Sequence, residues 1–365
     1  MNDPAIEDSR TASPQAARAN DYVGSGSIRT AVVVLISVAL FLYAVRAILL
    51  PFVVAGAIAY VLTPVINWTT SRTGVRRSLA AIIVFLVLVT VAGTLVELAA
   101  PTISGELASL AIDLEGTIRG VAQRLIGERP IYVLGRSIDA SQIASEAVRM
   151  VRDLLGQDGG IMALTIWSSA VVFGTVLTIV ILFYFLVSGP RIAAGLLWLV
   201  PPRHRPLAAD LWSKLNPVLA RYFIGVFIVA AYAIAAAYVG LGLVLGLSHA
   251  VVLAVLTGCL EMIPVVGPLL AATIAGLVAV HAASSLWNVA AFVLYAILLR
   301  LSIDQLLGPV VLGRAARAHP VLIIFCFLTG GLLFGVAGVI MAIPVALTAR
   351  MALSTLYGEP LEPRK

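Results

Sequence analysis

Three ionisable side chains lie where a chain running through lipid keeps almost none. Glu261 sits three residues before Pro264, inside the apolar run 250–280, and Arg300 and Asp304 stand four residues apart in the apolar run 286–306. On insertion scales a charge at a helix centre costs ~2.5–3.5 kcal/mol, so each needs a partner, water or a task. For Glu261 the options are to satisfy amides freed around Pro264–Gly267, or to carry a proton or cation. Arg300 and Asp304 share one helix face and can pair. They either fix the orientation of their helix or take part in coupling.

The remaining chemistry-bearing types do not assemble into a catalytic pattern. The sequence contains no HExxH, GxSxG, Walker-type loop or CxxC spacing. His204, His249, His281 and His319 fall near expected loop ends, and Cys259 and Cys326 lie singly in apolar segments. The chain reads as a non-enzyme with no catalytic residues, no metal and no cofactor.

The elements that must position Glu261, Arg300 and Asp304 are membrane helices. Of 365 residues, 61% are hydrophobic and 12% charged, and mean hydropathy is +1.06. A charged fraction near a quarter is usual for soluble domains. The apolar residues come in windows long enough for helical spans: 28–49, 52–70, 79–99, 161–187, 218–246 and 286–306. The net charge of +6 orients loops and meets anionic headgroups, and nucleic acid is not an expected partner.

Two further apolar blocks, 250–280 and 320–349, overshoot a bilayer as straight helices and carry breakers at mid-length. The first holds Pro264, Gly267 and Pro268; the second holds Gly330, Gly331, Gly335 and Gly338. Charge placement favours re-entrant hairpins over full spans. With an inside N-terminus, Arg72, Arg76, Arg77, Arg191, Arg203, Arg205 and Lys214 are all cytoplasmic. If 250–280 dips in and returns, Arg314, Arg317 and Arg350 are cytoplasmic too. The expected fold is an all-α polytopic bundle, six spans plus two hairpins, or eight spans if the broken segments cross.

Segments 217–281 and 286–350 then form two units of one span and one broken segment with opposite polarity, an inverted topological repeat. The hairpin tips are expected to meet near the midplane. Between the third and fourth spans, residues 101–158 carry eight acidic and six basic side chains. Their apolar positions Ile103, Leu107, Leu110, Leu114, Ile118, Val121 and Leu125 recur at helical spacing, and Ile143 to Leu154 continue the pattern. This is an extracytoplasmic amphipathic arm, for packing or for subunit contact. Leu207, Leu211, Leu215, Val218 and Tyr222, with Trp212 and Lys214, suit a cytoplasmic interfacial helix.

The chain thus divides into a polar cytoplasmic tail (1–27), three spans (28–100) and the extracytoplasmic region (101–160). The fourth span and interfacial helices (161–216) follow, then two span-plus-broken-segment units (217–281 and 282–352) and a cytoplasmic tail (353–365).

"IPVVGP" at 263–268 and the string from Asp304 to Pro344 resemble the autoinducer-2 exporter family of bacterial inner-membrane permease-like proteins. The family-like positions are Pro309, Gly313, His319, Pro320, Gly330, Gly331, Gly335, Gly338 and Pro344, with "LVPPR" at 199–203 and "YFIG" at 222–225 in support. The resemblance implies a multi-pass inner-membrane exporter of small polar solutes with both termini cytoplasmic. Some relatives are linked instead to sodium or lithium exchange for protons. Membrane lipid, a small polar solute or a monovalent cation or proton, and further copies of the chain are the implied partners. A non-transporting scaffold that binds partners through the arm is the remaining alternative.

Overall fold

The structure, a computed structural model, describes residues 37, 40–126, 131–133, 136–138, 142, 145–146, 149, 161–263, 266–311 and 320–357. By contacts the chain forms two compact units, Met1–Leu49 and Leu50–Lys365. In the first, the Arg46 guanidinium lies 4.3 Å from the Tyr43 ring centroid, a cation–π contact that suits a cation at a span end. The expected span 28–49 falls largely outside the described residues.

Helix α1 runs Arg46–Thr73, α2 Arg77–Ile126 and α3 Ile161–Leu199. Pro51 and Pro64, Pro101, and Pro190 stand inside them without ending them. The Leu186 carbonyl, left without its amide donor by Pro190, accepts instead from Arg77 Nη1 at 3.3 Å. Ala55, Ile66, Ala80, Ala81, Leu182 and Leu186 form the shared core of these three helices. Ala55, Ala80 and Ala81 let the helices approach closely, which, rather than expulsion of water, holds helices together in lipid.

A 3-10 turn, Pro202–His204, leads into α4, Arg205–Ala237, which continues as a π-helical stretch, Tyr238–Val244. Next come α5, Ala250–Glu261, and α6, Val266–Ala282. Helix α7, Leu286–Leu301, also passes into a π-helical stretch, Ser302–Leu307, followed by the short α8, Gly308–Val311, and then α9, Pro320–Tyr357. The order helix, π stretch, broken apolar segment therefore occurs twice, in the two units the charge pattern separates. Tyr232 on α4 donates to Ser302 at 2.9 Å, tying α4 to the start of the second π stretch.

Among the described residues six helices are long and apolar enough to cross a membrane. Five, Ile48–Thr73, Arg77–Leu110, Ser169–Leu199, Pro202–Val244 and Leu286–Leu307, cover expected spans; the sixth, Val321–Ala352, is the second broken block. The chain is thus a polytopic helical membrane protein.

Both broken blocks depart from straight rods. Helices α5 and α6, of 12 and 17 residues, are ~18 and ~26 Å long, each short of a ~30 Å hydrocarbon core. Their turn is closed by Ile263 N donating to Leu260 O at 2.8 Å and Gly267 N to Ile263 O at 3.1 Å. A Cβ on Gly267 would collide with the Leu260 carbonyl. In α9 the break is Gly335, at φ 60° and ψ −139°, a backbone region open essentially only to glycine. Beyond it the chain comes back on itself: a Cβ on Gly330 would lie 2.6 Å from the Gly338 carbonyl oxygen. Eight residues of straight helix would hold those two glycines ~12 Å apart. Ile323 and Ile343, one from each arm, accordingly join the same cluster around Tyr222, Phe223 and Leu347.

Both folded-back segments lean on α4. Gly258 of α5 sits against Ala230 and Ile234, while the α9 arms pack on Val218, Leu219, Val226 and Phe227.

The arm differs in two ways from the expectation. Its first part is not a separate element, since α2 runs unbroken through Pro101 to Ile126. It is also not purely helical: Ile131–Val133 (β1) and Arg136–Ile138 (β2) pair antiparallel with Val133 opposite Arg136. Ile131, Tyr132 and Val133 are β-branched or aromatic, which suits a strand, and this short pair leaves the chain all-α in class. The later stripe, Ile143 to Leu154, lies for the most part outside the described residues.

The α2 extension grips both feet of the α5–α6 segment. Glu106 accepts from the Val252 amide at 2.8 Å, Ser109 and His249 Nε2 are 2.9 Å apart, and Gly120 leaves room for the His281 ring. His249 occupies the left-handed region, φ 65°, as the residue before α5. A side chain from another helix thus caps the first turn of α5, in place of the usual local Ser, Thr, Asp or Asn. Glu106→Ala is expected to weaken that turn by about 1 kcal/mol. Hydrogen exchange at Val251–Leu253 should quicken by roughly fivefold, with α7 as the unchanged reference.

Candidate functional site

Helix α5 carries Glu261 as its last residue, just ahead of the turn, and α7 carries Arg300 as its last but one, two residues before the second π stretch begins. The π stretch holds Asp304 within reach of Arg300. Arg300 Nη2 lies 2.6 Å from Asp304 Oδ1, and Arg300 Nη1 lies 3.5 Å from Glu261 Oε1. The carboxylates therefore flank one guanidinium. Their surroundings differ: the Glu261 side chain is 8% exposed, those of Arg300 and Asp304 46% and 41%. The short pair is a charge-assisted bond between half-exposed groups, whereas the 3.5 Å contact is at the outer limit of hydrogen bonding. Glu261 is buried yet loosely held.

Glu261 and Arg300 line a cavity of about 420 Å³ between α5, α6 and α7, and Asp304, paired to Arg300, is not among its lining residues. Ala271, Ala272, Ala275 and Ala296 leave the space open, and Phe292, Tyr295 and Leu299 supply apolar wall. Thr257 donates to Leu253 at 2.7 Å, so its oxygen is left as an acceptor towards the cavity. Pro268, at the start of α6, closes the same end as Glu261 and Arg300. A largely apolar cleft with a few convergent polar groups has the make-up of a small-molecule site.

The wall beside Leu241 depends on glycine. The Tyr295 ring occupies the space a Cβ on Gly240 would need, so the first π stretch comes close to α7 only because residue 240 has no side chain. Gly240→Ala is expected to displace Tyr295 and reshape the cavity; tyrosine fluorescence would not isolate it, so binding of solute to the purified variant is the measurement, with roughly tenfold weaker affinity expected.

Of the residues singled out by sequence, Glu261, Arg300 and Asp304 are brought together, and Gly267 and Pro268 shape the adjoining turn. Pro264 and His319 lie outside the described residues. Gly330, Gly331, Gly335 and Gly338 form the α9 turn and are not among the residues lining this cavity. Pro320 begins α9, Pro309 lies on α8, and Pro344 lines a different groove beside α1 and α4. Thr257 and Tyr295 were missed. Thr257 stands four residues before Glu261, a spacing that places both on one face; Tyr295 had no such marker.

Long apolar helices around a cavity with a few charged and polar groups, beside a pair of shorter apolar helices, define a multi-pass helical membrane protein. The chain belongs to the AI-2E transporter family: the profile described as "AI-2E family transporter" matches residues 31–358. It is 24% identical over 319 residues to "Putative transport protein YueF" of Bacillus subtilis, covering 84% of this chain and 83% of that one. It is 29% identical over 317 residues to "Putative transport protein MT0215" of Mycobacterium tuberculosis, covering 85% and 83%. A "Putative transport protein" of Methanothermobacter thermautotrophicus is 34% identical over 156 residues, 43% of this chain and 46% of that one.

Proposed function

We propose that this chain is a secondary exporter of small polar solutes in the cytoplasmic membrane, and that the cavity lined by Glu261 and Arg300, with Asp304 paired to that arginine, is where the solute binds. The observation that carries the reading is the cavity itself, about 420 Å³, beside the end of α5 where Glu261 and Arg300 converge. Irregular backbone within a membrane is tolerated where protein shields it or a hydrated route wets it. In this reading α5–α6 and the arms of α9 are re-entrant hairpins whose tips approach each other, and they move against a scaffold of α1 to α3. Both termini are cytoplasmic. Autoinducer-2, from which the family takes its name, is the first solute to try.

The test is flux in proteoliposomes of purified protein, with autoinducer-2, sodium and proton gradients applied in turn. Gradient-dependent solute movement is the expected result. Protein-free and protein-containing vesicles behaving alike under every gradient would overturn the proposal and leave the scaffold reading, which deletion of the arm then tests.

Cation/proton antiport is the second reading, favoured by the burial and loose tether of the Glu261 carboxylate. Everted vesicles with a pH-sensitive dye decide it. A sodium- or lithium-induced dye response that disappears in Glu261→Gln supports exchange; no response to either cation removes it.

A further inference from the structure

We propose that a second cavity, between the middle of α1, the C-terminal part of α3 and the N-terminal part of α4, beside the start of α2, binds the anionic headgroup of a membrane phospholipid, with Arg77 holding its phosphoryl group. The cavity is about 340 Å³ and shares no lining residue with the solute cavity. Arg77 lines it together with Thr63, Gly189, Trp212 and Asn216.

The chemistry of the wall selects an anion. Arg77 Nη1 donates to the Leu186 carbonyl at 3.3 Å, and among the described residues no carboxylate is paired with it. A guanidinium has five donors, so most of its capacity faces outward from that single bond. Asn216 adds an exposed amide. Thr63 cannot add a donor, because its proton goes to Ala59 at 2.7 Å. The two stretches that build the cavity, 56–79 and 185–221, carry Arg72, Arg76, Arg77, Arg191, Arg203, Arg205, Lys214 and Arg221 against one acidic residue, Asp210. Asp210 is already paired with Lys214 at 2.7 Å. Trp212 is 45% exposed, the placement of an indole at a headgroup boundary.

The neighbouring surface selects a lipid over a free anion. Gly56 and Tyr60 line this cavity and also an apolar groove of about 540 Å³ walled by Phe52, Phe223, Met341 and Pro344. A cavity with a guanidinium and an amide on its wall, continuous with an apolar groove, suits one molecule with a charged head and an acyl tail. Inorganic phosphate or a soluble phosphate ester would use only half of that surface.

The experiment uses delipidated full-length protein in neutral detergent, titrated with dioleoylphosphatidylglycerol, dioleoylphosphatidylcholine or glycerol 3-phosphate, with bound species counted by native mass spectrometry. Wild type is expected to prefer phosphatidylglycerol by roughly fivefold or more, the scale of one basic side chain at a charged surface, and to ignore glycerol 3-phosphate. Arg77→Gln should erase the preference. Gly189→Leu should do the same by filling the space: a Cβ there meets nothing within 4 Å, so the fold has room for it. Equal binding of both lipids by wild type, or an undiminished preference in Gly189→Leu, overturns the proposal. Glycerol 3-phosphate binding as tightly as the lipid overturns it too and assigns the cavity to a water-soluble anion.

Discussion

Glu261→Gln is expected to lower solute flux by about a hundredfold, equivalent to ~2.7 kcal/mol in the barrier, while leaving the protein folded. The substitution removes one negative charge at nearly constant volume. Arg300 does not become an orphan, since Asp304 stays 2.6 Å from its other terminal nitrogen. The bare loss of a charge partner from a buried pair, with its ~3–5 kcal/mol penalty, therefore does not apply here, and a half-exposed pair is screened further. What the variant loses is a carboxylate facing the cavity. Arg300→Gln is the complementary case. It leaves Glu261 and Asp304 as two carboxylates without their shared cation, so both flux and thermal stability should fall. Comparing flux with the melting temperature of each purified variant separates the two effects, and a Glu261→Gln protein that melts like wild type yet transports at the wild-type rate would remove Glu261 from the mechanism.

The other large effect is expected at the two turns. A Cβ on Gly267 runs into the Leu260 carbonyl, and one on Gly338 runs into the backbone of Gly330. Both obstacles are main chain, which cannot swing aside as a side-chain end can. Gly267→Ala and Gly338→Ala should each cost about 1–3 kcal/mol through forced backbone shifts, with folded yield in detergent falling accordingly. Gly93→Ala and Gly174→Ala are the built-in controls. They meet nothing within 4 Å, and removing a helical glycine stabilises by roughly 0.5–1 kcal/mol. If all four substitutions behaved alike, close backbone approach would not be what shapes the broken segments.

Much of this was legible in the sequence because lipid makes strict demands. Apolar length gives α1 to α4 and α7, since every backbone polar group must be satisfied within its own helix. Breakers at 264–268 and 330–338 announce the interruptions for the same reason. Arg300 and Asp304 pair as their spacing requires. The meeting of Glu261 with that pair was not legible, because it depends on how α5 and α7 pack, and Glu261 alone was equally compatible with satisfying amides in its own turn. The long-range cap of α5 by Glu106 was hidden likewise: a glutamate in an amphipathic arm looks like a solvated charge until the partner helix is in place. The π stretches left no periodic signal, as one widened turn alters the spacing by a single residue. The small strand pair was masked by the helical stripe on either side of it.

The central claim is that the apolar block 250–280 enters and leaves the membrane on one side, which is what gives the cavity its interrupted wall. Single cysteines at Ser248 and Ser285, both exposed and flanking the segment, in a background lacking Cys259 and Cys326, test it with a membrane-impermeant maleimide on intact cells. We expect both positions to react from outside without permeabilisation, with Arg314→Cys reacting only after it. Labelling of Ser248→Cys and Ser285→Cys from opposite faces of the membrane would contradict the re-entrant arrangement and the solute site built on it.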